Sequence, residues 1–258
     1  MAVNPHKAAR LRAMKGVERI AALTAYDFPM AVILDRAEIP LLLVGDSLGM
    51  VTLGYPDTTH VTIEDMEHHV RAVARAQPKA LVAADLPYQS FSSRERALDN
   101  ARRLVAAGAE AVKGEGGREI AGHVRALVDA GIPFLGHIGM LPQNAVIEGG
   151  YHIKGKVPAE REQLLADGAA LAEAGAFGMV LELVAPAVAA EVTRAVPIPT
   201  IGIGAGPGCD GEILVTLDLF GFSDFIPKHV KQHWPFGEQM RAAAAAWKQG
   251  VTGARKDA

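Results

Sequence analysis

The sequence predicts an α/β protein, a (β/α)₈ TIM barrel in a single domain, and three observations lead there. Short apolar runs flanked by Gly or Pro recur along the chain, which is how strands buried on both faces read. Alanine-rich helical stretches end in Ala107-Gly108, Ala130-Gly131 and Ala174-Gly175, each just ahead of the next apolar run. Such strand–helix alternation gives a parallel sheet. The chain has 258 residues, half of them hydrophobic, and one such barrel takes roughly 250.

The elements follow in order. A helix is predicted at about 5–16 and a first strand at 19–25. A second strand, 40–45, leads into a long loop, Ser47–Val61. Thr62 with Asp65 starts a helix over Ile63–Ala76, and Ser93 starts another to Ala107, since a hydroxyl at such a position caps free N–H groups. Strands at 80–85, 109–114 and 132–137 alternate with these helices and with one over Glu119–Ala130. A second long loop, Ile138–Val157, precedes a helix over Ala159–Ala174, and long loops on a compact fold are usually lids or binding elements. Strands at 176–182 and 198–204 flank a helix over Ala187–Ala195, and the eighth strand is expected at 223–228. A terminal helix, about 236–249, brings Met240, Ala244 and Trp247 near one face, to pack on the barrel or on a neighbour. No Ser/Gly-rich linker divides the chain, so residues 1–258 read as one domain.

Composition excludes several functions. The net charge is −3 with no basic patch, which argues against nucleic acid as a partner. No stretch reaches the roughly 18 apolar residues of a membrane span. The single cysteine, Cys209, allows no intrachain disulfide and fits a cytoplasmic location. Residues 1–15 are basic but lack the apolar core of a signal peptide.

The chemistry-bearing residues sit where the strands end, which in a parallel barrel is the active rim. Asp46 and Asp85 close neighbouring strands. Two carboxylates in a dry cleft repel unless a cation lies between them, and an oxygen-only donor set favours Mg²⁺; helix capping or arginine pairing would also place acids there. Glu115 is an outer member of the acidic group. Lys113 suits a substrate carboxylate, a Schiff base, or an ion pair with Glu115 or an Asp. His137, in Gly136-His137-Ile138-Gly139, is a site residue or a core histidine. Glu182 follows Met179-Val180-Leu181, an apolar setting in which a carboxylate becomes a usable base, unless it pairs with a cation such as Lys154. Gly202–Gly206 is a weak phosphate-loop candidate, and His68-His69 has the wrong spacing for a metal pair on one helix face.

Longer motifs carry a resemblance. VGDSLGMVTLGYPDT (44–58), ADLPYQSF (84–91), AVKGEGG (111–117), GHIGMLPQ (136–143), GGYHIKGK (149–156) and IPTIGIGAGPGCDGEILV (198–215) together resemble the ketopantoate hydroxymethyltransferase family, from about Leu23 to Val230. The chain departs from the family at Tyr88 and Phe91, where the two aromatics are exchanged, and at Leu183-Val184-Ala185, where Cys-Val-Pro is common. The resemblance implies a Mg²⁺-binding barrel that moves a one-carbon unit from 5,10-methylenetetrahydrofolate to a small-molecule 2-oxo acid, 3-methyl-2-oxobutanoate. It implies Asp46 and Asp85 as metal ligands that also face substrate, with Glu115 near the metal. Ser47 and Lys113 then hold the 2-oxo acid, His137 stands beside it, and Glu182 is the base. It also implies a homo-oligomer, typically a decamer. An alternative is a Mg²⁺-dependent C–C lyase or mutase of the phosphoenolpyruvate/isocitrate-lyase type.

Overall fold

The computed structural model describes residues 5–223, 226–231 and 234–253. Eight parallel strands close a barrel in sequence order: β1 (Ile20–Thr24), β2 (Leu41–Val44), β3 (Leu81–Asp85), β4 (Ala111–Glu115), β5 (Phe134–Gly139), β6 (Gly178–Glu182), β7 (Thr200–Ile203) and β8 (Gly211–Leu214). α1 (Pro5–Ala13) precedes β1, and between the strands run α2 (Phe28–Arg36), the short α3 (Leu48–Val51), α4 (Ile63–Ala74), α5 (Arg94–Ala107), α6 (Ala121–Asp129), α7 (Pro158–Glu173) and α8 (Pro186–Ala195). The cap signals act as expected. Thr62 and Asp65 form a reciprocal capping box on α4, Ser93 accepts from the Arg96 N–H to start α5, and Gly108 ends α5 in a left-handed conformation.

The eighth strand corrects the sequence expectation. It lies at Gly211–Leu214, straight after β7 with no helix between them, and not at 223–228. Of the expected segment, 224–225 lie outside the described residues, and 226–228 form no strand. Asp210 explains the early return. Its carboxylate accepts from the Thr200 N–H and from Lys15 Nζ, and its carbonyl accepts the Ile20 N–H that brings β1 alongside. A Cβ on Gly211 would stand 2.3 Å from the Ile20 carbonyl oxygen, so β8 begins on a residue without a side chain.

Side chains alternate across each strand. The inward set, Ala22, Leu41, Leu43, Leu81, Ala83, Ala111, Leu135, Val180, Ile201 and Ile213, forms one buried cluster that fills the barrel. Ala8 and Leu11 of α1 belong to the same cluster. Lys7 fixes α1 to that end of the barrel, donating to the carbonyls of Pro78 and Ala80 and to Glu110. α1 therefore plugs the face where the strands begin. Two compact units divide the chain, Met1–Ile213 and Leu214–Ala258. In the second, α9 (Thr216–Leu219) precedes a cluster in which Phe220 meets Trp234 edge-on and Phe236 at a tilt. α10 (Phe236–Gly253) follows and buries none of its side chains.

Candidate active site

The site is the next step of the inward alternation. Ala83, Ala111, Leu135 and Val180 end the apolar core. Two residues further along the same strands stand Asp85, Lys113, His137 and Glu182, and Glu115 follows Lys113 on β4. Register sets Asp85 beside Lys113 and Glu115 beside His137. Asp46, just past β2, completes the rim. Asp46, Asp85, Lys113, Glu115 and His137 are all buried.

Asp85 holds its neighbours together. Its Oδ1 accepts from Lys113 Nζ at 2.6 Å and its Oδ2 accepts the Asp46 N–H at 3.0 Å. Lys113 is thus ion-paired with an aspartate, one of the roles its sequence position allows. Burial alone would push Lys113 toward its neutral form, but the charges of Asp85, Glu115 and Asp46 outweigh it and hold the ammonium above the usual lysine range. Burial, then the charge of Asp85, raises Asp46 to about 8, against relief from Lys113 and Gln143. Burial and Asp46 likewise hold Glu115 well above the carboxylate range. These are acids pressed together with too little positive charge.

Glu182 is 14% exposed. It is not paired with Lys154, whose Nζ pairs with Glu148. Glu182 Oε2 instead lies 3.4 Å from His137 Nε2, and His137 Nδ1 lies 3.6 Å from Glu115 Oε1. Burial, then the Lys113 charge, lowers the histidine and keeps it neutral. Gly139 makes this packing feasible. Its φ is +103°, and a Cβ there would sit 2.3 Å from the Glu182 carbonyl oxygen, which accepts the Met140 N–H. Ser47 stands just ahead of α3 next to Asp46, and its hydroxyl, which makes no capping bond, pairs with the Tyr26 phenol at 2.9 Å.

The donor set fits a hard divalent cation. Glu115 Oε1 is buried with no hydrogen-bond partner, 3.6 Å from His137 Nδ1, and the carboxylates of Asp46 and Asp85 act on it electrostatically. Among the described residues no three His, Cys, Asp or Glu side chains form a ready-made cage.

Three contributors escaped the sequence reading. Gln143 donates from Nε2 to Asp46 Oδ2 at 2.8 Å and to the Leu86 carbonyl at 3.0 Å. Tyr26 orients Ser47. Tyr151, 49% exposed, is pushed up to about 12 by desolvation and by the field of Glu182, Glu115 and Asp46, so its phenol stays neutral near the acids. Gln143 and Tyr151 lie inside GHIGMLPQ and GGYHIKGK, but no spacing rule says that a loop residue folds inward. The other candidates stay out of the site. Cys209 is buried, and burial raises its thiol. His69 Nδ1 bonds the Tyr26 carbonyl.

A closed parallel barrel with acids, a lysine and a histidine gathered where its strands end is a barrel enzyme. The family model described as ketopantoate hydroxymethyltransferase matches residues 6–255. A 3-methyl-2-oxobutanoate hydroxymethyltransferase of Moorella thermoacetica is 51% identical over 94% of this chain and 91% of the relative. One from Chloroflexus aurantiacus is 54% identical over 84% of this chain and 77% of the relative. The fold is shared more widely. The crystal structure of 2,3-dimethylmalate lyase, a PEP mutase/isocitrate lyase superfamily member, is similar with a TM-score of 0.62 at 18% identity, covering 100% of this chain and 89% of that one. The chain belongs to the ketopantoate hydroxymethyltransferase family and is a transferase.

Proposed function

We propose that the protein makes 2-dehydropantoate from 3-methyl-2-oxobutanoate, 5,10-methylenetetrahydrofolate and water, releasing tetrahydrofolate, as a step of pantothenate synthesis. The observation that carries this reading is the division of the rim. Glu182 stands beside neutral His137, and the acid pair Asp46/Asp85 stands beyond Lys113, an order around the rim that supports a base on one side and a cation site on the other.

Asp46 and Asp85 would hold Mg²⁺, with Glu115 beyond them, reached through water. Bound there, Mg²⁺ supplies a Lewis acid against the 2-oxo group. Ser47 and Lys113 bind and orient the oxo acid. Glu182 accepts the proton from C3. Lys113, held cationic by its neighbours, faces the negative charge that develops on the oxo acid as that proton leaves. His137, buried and neutral, stands 3.4 Å from the Glu182 carboxylate and adds no competing charge beside the base. C3 then bonds to the one-carbon unit of the folate, and water provides the hydroxyl.

The lyase or mutase alternative draws only on the shared barrel, which at 18% identity speaks for the fold and not for the reaction. Among the described residues no helix is long and apolar enough to cross a membrane. A cytoplasmic location is the reading supported by the single buried cysteine. Assembly into a homo-oligomer, a decamer by family resemblance, is supported by exposed Met240 and Trp247 on α10, the latter 73% exposed. The direct assay follows 2-dehydropantoate formation from the two substrates with Mg²⁺. Product should disappear on chelation and return with added Mg²⁺. Carbon–carbon cleavage or rearrangement of a 2-oxo acid without folate would support the alternative.

A further inference from the structure

Gln143 sits on the short 3₁₀ turn Pro142–Asn144, in the loop after β5, and its side chain is buried. It acts twice. Its side-chain amide donates to Asp46 Oδ2, 97 residues away in sequence, and to the Leu86 carbonyl. Its main-chain N–H donates to Glu115 Oε2 at 3.0 Å. Both partners of the amide are acceptors, so the nitrogen must face them and the orientation is fixed. One residue thus occupies one oxygen of Asp46 and one of Glu115. Glu115 Oε1 is left buried and unpartnered. Groups that hold a ligating carboxylate this way set which oxygen is turned to the ion.

The same loop is tied to the base. Near its start, the Met140 N–H donates to the Glu182 carbonyl. Toward its end, the Lys154 N–H donates to the Leu183 carbonyl, and the Ala185 N–H to the Lys154 carbonyl. The loop therefore bridges the segment carrying Glu182 and the acids across the rim.

We infer that Gln143 is a positioning residue of the cation site, orienting Asp46 through its side chain and Glu115 through its main chain, and that it couples cation binding to the order of the loop spanning 138–157. The inference rests on the Mg²⁺-dependent reading above. An ion that fixes the two carboxylates fixes the acceptors on which the loop hangs.

The test is a calorimetric titration of Mg²⁺ into the metal-stripped protein, without substrate, for wild type and Gln143→Met. Methionine keeps the volume and the main-chain N–H but removes the amide. Loss of such a supporting partner typically costs about 10–100-fold in metal affinity, and that range is expected. A purely structural glutamine would lower the melting temperature and leave Mg²⁺ affinity alone; unchanged affinity in folded Gln143→Met overturns the inference. A second measurement needs no variant: in wild type, Mg²⁺ alone should slow hydrogen exchange across 138–157, with a midpoint at the Mg²⁺ dissociation constant. Exchange there that ignores Mg²⁺ also overturns it. A wild type that takes up no Mg²⁺ at all overturns the parent reading as well, which separates the two failures.

Discussion

Asp46 shows how the rim stores unfavourable charge. Its carboxyl rises from the usual 3.8 to about 8 through burial first and Asp85 second. The folded protein therefore keeps a proton there that the unfolded chain releases near pH 4. Where the native state binds more protons, stability falls as pH rises. The metal-stripped protein should lose melting temperature between about pH 4 and pH 8, and Asp46→Asn should flatten that slope. Mg²⁺ would take the place of the proton, so the stabilisation it gives should grow across the same window. A melting temperature of the stripped protein that rises through this range would count against the electrostatic account. Cys209 offers the opposite case: buried, raised by desolvation and outside the rim, it should be replaceable by serine with turnover intact.

The elements were legible where a local rule governs them. Seven strands fall within a few residues of the apolar runs, and Thr62, Ser93 and Gly108 act as their types suggest. β8 is not legible in the same way, because Gly-Glu-Ile-Leu is short and no Ala-Gly helix precedes it. Its place is decided by Asp210 and by contact with Ile20, a residue nearly two hundred positions away. Gly211→Ala tests that closure. Its methyl would meet the Ile20 carbonyl at 2.3 Å, and overpacking of this kind costs roughly 1–3 kcal/mol. The expected result is a melting temperature lower by several degrees; an unchanged one would show that β1 and β8 yield easily. The two long loops are legible as loops, but which of their residues turn inward is not. Gln143 and Tyr151 contribute through distance and field, which sequence spacing does not encode.

At the scale of the whole molecule, the apolar plug and the candidate site occupy opposite ends of the barrel. α1 plugs one end through Ala8 and Leu11, and the acids crown the other. Leu11→Ala removes a fully packed side chain and should cost about 2–5 kcal/mol, seen in denaturant melts, while kcat of the folded fraction stays as it was. A matching drop in kcat would mean that the two ends are coupled. The candidate rim residues themselves were readable because a parallel barrel sends every strand's end to one face, so seven polar residues at or beside strand ends had one place to meet. The central claim is that this face removes the C3 proton with Glu182 while the cation is held elsewhere. Its most direct test is the loss of deuterium from C3 of 3-methyl-2-oxobutanoate in the presence of Mg²⁺ and the absence of folate. Wild type should wash the label out, and Glu182→Gln should bind Mg²⁺ and the oxo acid normally yet exchange about 10²–10⁴-fold more slowly. Exchange at the wild-type rate in Glu182→Gln would contradict the account and pass the role of base to His137.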